Sequence, residues 1–90
     1  MSDPHLRFLL EVLSYNHLRN PHLDDALFAY ELWCQITDMP DDTPLDTALL
    51  CLEGNVPRVV ELSLCFFTES VPNREDEIAF IGERVRTLFA

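Results

Sequence analysis

Read for apolar and polar positions, the chain divides into five stretches with helical spacing, parted by short proline-containing connectors. The most apolar is 55–71, NVPRVVELSLCFFTESV, with apolar residues at 56, 59, 60, 62, 64, 65, 66, 67 and 71. Wound as a helix, it keeps a polar side of only Arg58, Glu61, Thr68 and Glu69. A surface helix needs one apolar stripe of roughly 100°, so this pattern predicts a central helix covered on more than one side. Residues 4–19 predict a first helix with Leu6, Leu9, Leu10 and Leu13 as one stripe and Phe8, Val12 and Tyr15 as a second strip on a neighbouring face. Residues 21–37 predict a second helix that buries Leu23, Ala26, Leu27, Tyr30 and Trp33. Asp24, Glu31, Gln35 and Asp38 mark its wet side, flanked by Phe28 and Leu32. The third helix, 44–53, sets Leu45, Ala48, Leu49 and Leu52 on one face. The fifth, 73–89, aligns Ile78, Ile81, Val85 and Leu88 and is expected to lid the others, with Gly82 a candidate for close approach.

The boundaries follow from the six prolines. Proline fits the first helical turn, and a small polar residue before it can take the free N–H groups. Asp3-Pro4, Asn20-Pro21 and Thr43-Pro44 have this form, Asp46 makes the third start close to a capping box, and Asn55 with Pro57 and Pro72 with Asn73 are looser versions. Gly54-Asn55 can end one helix and cap the next within two residues, which predicts an antiparallel hairpin there. Glu75, Asp76 and Glu77 open the last helix and Arg84 and Arg86 lie toward its end, as the helix dipole favours. Residues 38–42, DMPDD, read as an acidic loop. Sustained alternation and Asn-Gly or Asp-Gly turns are missing from the sequence, so strands are not expected. The predicted fold is all-α: one domain over 1–90, with about five short helices as antiparallel hairpins, either stacked or closed as an irregular bundle.

Charge narrows the partners. The formal net charge is -10, all six basic residues are Arg, and lysine is absent. Nucleic acids and anionic membranes are bound by neutralising their negative charge, so direct contact with either is not expected, whereas a basic protein is the natural counterpart. Cys34, Cys51 and Cys65 are far apart in apolar surroundings, which predicts buried free thiols in a reducing compartment. With no signal-peptide pattern and no apolar run of ~18 residues, the expected location is cytoplasmic. Two glycines are too few for a phosphate-cradling loop. His5, His17 and His22 lack metal-ligand spacing. The acid pairs Asp24-Asp25 and Asp41-Asp42 fall at helix starts and loops. No enzyme, metal or cofactor is therefore expected.

From residue 22 to residue 55, an offset of 33, HLDDALFAY and NVPRVVELS align as second helices of two hairpins, each followed by a proline, Pro40 and Pro72. With Gly54 at a turn, Val59 and Ala26 at small-residue positions and Tyr30 at an aromatic one, residues 5–72 resemble the tetratricopeptide repeat; Ser63 stands where the second copy would have its aromatic. TPLDTAL followed by GNVPRVVELSL is similar to an ankyrin repeat, carried by Thr43, Pro44, Leu45, Gly54, Val59, Val60 and Leu62. Both resemblances imply paired helices that hold other proteins. In size, charge and organisation the chain is also similar to the small acidic chaperones of bacterial type III secretion. The expectation is a non-enzymatic binding module, a small chaperone masking an apolar helix of its partner. Phe8, Val12 and Tyr15 with Leu50 would floor its groove, and Phe28 and Leu32 are further candidate contacts. The alternative is a small acidic inhibitor, phage-type or nucleic-acid-mimicking, that blocks a basic site on an enzyme. Assembly as a homo-oligomer is a third option.

Overall fold

The computed structural model describes residues 3–52 and 56–90, and every regular element among them is helical. In chain order these are α1 (Pro4–Arg19), α2 (Leu23–Thr37), α3 (Leu45–Leu52), α4 (Val56–Ser70) and α5 (Glu75–Leu88). The all-α expectation holds, with starts shifted by one or two residues. The Gly54-Asn55 turn and the Asn55 cap lie outside the described residues.

Each shift has a local cause. α1 begins as expected, with Asp3 Oδ1 accepting from the His5 N–H at 2.8 Å and Pro4 in the first turn. Asn20 closes α1 instead of opening α2. Preceding a proline, it takes an extended backbone, as residues in that position do. Its own N–H still donates to the Asn16 carbonyl at 2.9 Å, while its side-chain oxygen accepts from the His22 N–H, so α2 starts only at Leu23. Asn73 adopts a φ of 69°, a left-handed conformation that asparagine tolerates better than most residues, and α5 follows two residues later. At α3 the N–H of Leu45 donates to Asp3 Oδ2 at 3.0 Å. One carboxylate thus caps two helices that start 41 positions apart in sequence, and both hydrogen bonds help hold its pKa below the ordinary aspartate value.

The central helix is α1, not α4. α1 packs against all four other helices, and α4 against α1, α2 and α5. Leu6, Phe8, Leu9, Val12, Leu13 and Asn16 of α1 are buried over a wide arc. Among the described side chains of α4, Val59, Val60, Ser63, Leu64 and Phe67 are buried, whereas Leu62 and Cys65 remain in water, so over residues 59–67 the helix is one-faced. α3 rests on α1, α2 and α5 rather than lying along α4. With one helix touching all the rest, the five form an all-α bundle organised around α1.

Phe67, 1% exposed, anchors the core, with the rings of Phe8 and Tyr15 each edge-on to it at 5.5 Å. Beside them Asn16 is fully buried. Its Nδ2 donates to the Val12 carbonyl at 2.9 Å and, across the interface, to the Ser63 carbonyl of α4 at 3.0 Å, and its Oδ1 accepts from Asn20. Two arginines fasten α5. Arg74, at the N-terminal cap of α5, lies over the Phe8 ring at 4.6 Å and pairs with Glu11 of α1 and Glu77 of α5. Those two carboxylates, Glu77 first, hold the guanidinium above its usual range. Arg84 makes a two-pronged contact with Asp46 of α3. Pairs this exposed contribute little stability.

Candidate functional site

The largest departure from the periodicity lies on α2. The buried residues are Ala26, Ala29, Leu32 and Ile36, while Leu23 is 70%, Leu27 48% and Tyr30 43% exposed. Three of the five residues expected in the core are thus in water; Ala26 is buried and Trp33 half-buried. α2 is apolar around much of its circumference, so its spacing admits two solutions. Helix pairs approach more closely across small side chains, and Ala26 and Ala29 both fall on the inward face. The larger side chains are left on the outside.

The uncovered residues form an ordered surface. Leu23, Leu27, Tyr30 and half-buried Cys34 follow one another at intervals of four, three and four, which sets them in one stripe along the helix. The Tyr30 ring stacks on His17 of α1 at 4.5 Å and runs nearly parallel to Trp33 at 6.2 Å, giving the stripe an aromatic border on the α1 side. The Cys34 thiol beside it raises the Tyr30 phenol above its ordinary pKa. Leu18, 72% exposed, sits in the last turn of α1 just before the connector to Leu23. Along the opposite border run Asp24, Glu31 and Asp38, all exposed and seven residues apart. Among the described residues none of these three takes part in an ion pair. No Arg or Lys occurs in the sequence between Arg19 and Arg58, so α2 itself carries no cation, and Arg58 of α4 reaches only the cleft beside Asp25 and Phe28.

The six residues expected to contact a partner do not come together on a surface. Phe8 (3% exposed), Val12 (0%) and Leu32 (7%) are core residues, a correction to the groove expected from them. Phe8 is covered by Phe67 and Arg74, so the strip 8, 12, 15 became an internal seam. Tyr15 is half-buried against Phe66 and Phe67. Phe28 is half-buried in a narrow cleft with Arg58, Val59 and Leu62 between α2 and α4. Leu50 alone stands well out, 49% exposed on α3. The thiols also differ from expectation: Cys51 and Cys65 are exposed, and Cys34 is half-buried. Local apolar sequence did not hide them, because each falls on the outer side of its helix.

Among the described residues, two further depressions lack convergent chemistry, as does a third whose Glu11 and Glu77 are already paired with Arg74. A groove of about 510 Å³ between α4 and α5 is lined by Leu64, Cys65, Ile78 and Gly82, with Glu61 and Arg86 at its rim. A second, at the start of α1, holds His5 stacked on Phe80 at 3.8 Å, but its Asp3 and Arg84 are already bonded within the fold. Among the described residues no three His, Cys, Asp or Glu side chains converge as a metal site, and no helix is long and apolar enough to cross a membrane. Comparison with protein-family models, curated proteins and solved structures finds no match to this chain.

Proposed function

We propose that the protein is a non-enzymatic binding module that holds another protein on the outer face of α2. The observation that carries this is the uncovered stripe Leu23, Leu27 and Tyr30 on a helix whose other face is already packed in the core. Isolated exposed leucines are ordinary, but contiguous apolar surface bordered by charge marks interaction sites. A chaperone that masks an apolar helix of its partner fits this face, as the sequence led one to expect, although the residues differ.

Surface variants provide the test. Leu27→Asp and Tyr30→Asp change side chains that already meet water, so circular dichroism should remain that of the wild type. Recovery of the partner with tagged protein from the native cell should be lost in both. Leu62→Asp, at the 40% exposed position on α4, should retain it. Equal recovery by all four proteins would refute the assignment to α2.

The cation-free stretch from Asn20 to Pro57 favours a second function, an acidic inhibitor that occupies a basic site on an enzyme. Asp24, Glu31, Asp38, Asp41 and Asp42 would then supply the contacts. Such binding would fall steeply with added salt and survive Leu27→Asp.

A further inference from the structure

We infer that the α2 face receives a single amphipathic helix with arginine or lysine along one edge, laid lengthwise on α2. This rests on the docking function proposed above and specifies the chemistry of its partner.

The spacing of Leu23, Leu27, Tyr30 and Cys34 is that of a helix–helix seam, in which side chains repeating at three and four residues mesh with a second helix crossing at roughly 20°. From Leu23 to Cys34 the seam spans twelve residues, about 16 Å for eleven steps of 1.5 Å, and so matches about three turns of a partner helix. In such pairings the residues bordering the seam choose the partner through charge. Here the borders differ. Asp24, Glu31 and Asp38 recur on one side at the seven-residue repeat of the seam itself, while Trp33 and His17 make the other side aromatic. The complement is a helix with cations on one edge and none required on the other.

A second copy of this chain fits poorly. Antiparallel pairing of two α2 helices would set the three acids of each copy along the same border as those of the other, and each copy brings a net charge of -10. An anionic bilayer meets the same repulsion.

Trp33, the only tryptophan, borders the seam and reports its occupancy. The full chain is titrated with two synthetic helical peptides of four turns that share one leucine seam. One carries lysine and the other glutamate along the flanking edge, and Trp33 emission is followed at low and high salt. The wild type should bind the lysine peptide about tenfold or more tightly than the glutamate peptide, and added salt should weaken that binding. The triple variant Asp24→Lys, Glu31→Lys, Asp38→Lys should reverse the preference, and Leu27→Asp should lose both peptides while keeping its helical spectrum.

Equal affinity of the wild type for both peptides would overturn the charge assignment and leave the docking face standing. If neither peptide binds, and the native partner is still recovered by Leu27→Asp, both fall. Sedimentation showing a dimer that Leu27→Asp dissolves would make a second copy the occupant. A Trp33 response to phosphatidylcholine or phosphatidylglycerol vesicles, lost in Leu27→Asp, would make it a lipid surface. Either result overturns the inference.

Discussion

Asp3 is the side chain whose removal has the most traceable consequence for the fold. Its Oδ1 accepts from the His5 N–H at 2.8 Å and its Oδ2 from the Leu45 N–H at 3.0 Å, so truncation to alanine releases the first turns of α1 and α3 together. Loss of a helix cap costs about 1 kcal/mol, and loss of a hydrogen bond to a charged acceptor about 1.5 to 3 kcal/mol when dry. Asp3 is half-buried, so the second contribution belongs at the low end, for a total of about 2 to 3 kcal/mol. A domain of this length has roughly 5 to 13 kcal/mol of stability in all, and the loss corresponds to a fall in Tm of about 10 to 20 °C. Asp3→Asn should fall between, because its amide presents one oxygen to two N–H donors.

The pH dependence supplies a second readout from the same residue. The Asp3 pKa is lowered from 3.8 in the folded chain, with the Leu45 N–H as the largest cause. A depressed carboxylate pKa contributes stability that is fully present above the unfolded value and is lost as pH falls through the folded value. The gap in stability between wild type and Asp3→Ala should therefore be constant near neutrality and shrink below about pH 4. Chemical denaturation across pH 2 to 7, followed by circular dichroism, measures both. A gap under about 0.5 kcal/mol at pH 7, or one that does not narrow in acid, would refute the double-cap reasoning.

Two further substitutions probe the interior and the outer helices. Asn16→Ala removes the side-chain tie from α1 to the Ser63 carbonyl, strands the Asn20 amide and opens a void. It should cost about 2 to 4 kcal/mol by denaturant titration. Gly82→Ala should stabilise by about 0.5 to 1 kcal/mol, because an added Cβ would meet Arg86 at 3.6 Å and Leu64 at 3.9 Å, which is ordinary contact, and so close packing within the fold does not require glycine there. A destabilised Gly82→Ala in thermal melts would show that α4 and α5 are pressed tighter than these distances imply.

Much of the local structure was legible in the residues because its causes are local. The Asp3-Pro4 start, the acidic first turn of α5 and the stripes of α3 and α5 depend on neighbours within a few positions, and each lies where the spacing put it. Proline signals marked connectors reliably but starts less so. Asn20 had two uses open to it, and the extended backbone before Pro21 committed it to ending α1. The candidate surface was half visible. Asp24, Glu31 and Asp38 were rightly placed in water, yet Leu23, Leu27 and Tyr30 were assigned to the core by their helical spacing with Ala26 and Trp33.

The sequence by itself determined five helical segments, their limits to within about two residues, and an acidic composition. Tertiary structure alone decided which helix would be enclosed and which face of α2 would be spent on packing. Periodicity records only that a side chain is apolar, whereas burial depends on what lies opposite. Ala26 and Ala29 let α2 settle inward, Asn16 could be hidden because Ser63 offered a carbonyl at 3.0 Å, and Leu27 stayed in water because none of the described helices covers it. Those outcomes depend on residues distant in the chain, and spacing along a single helix carries no record of them.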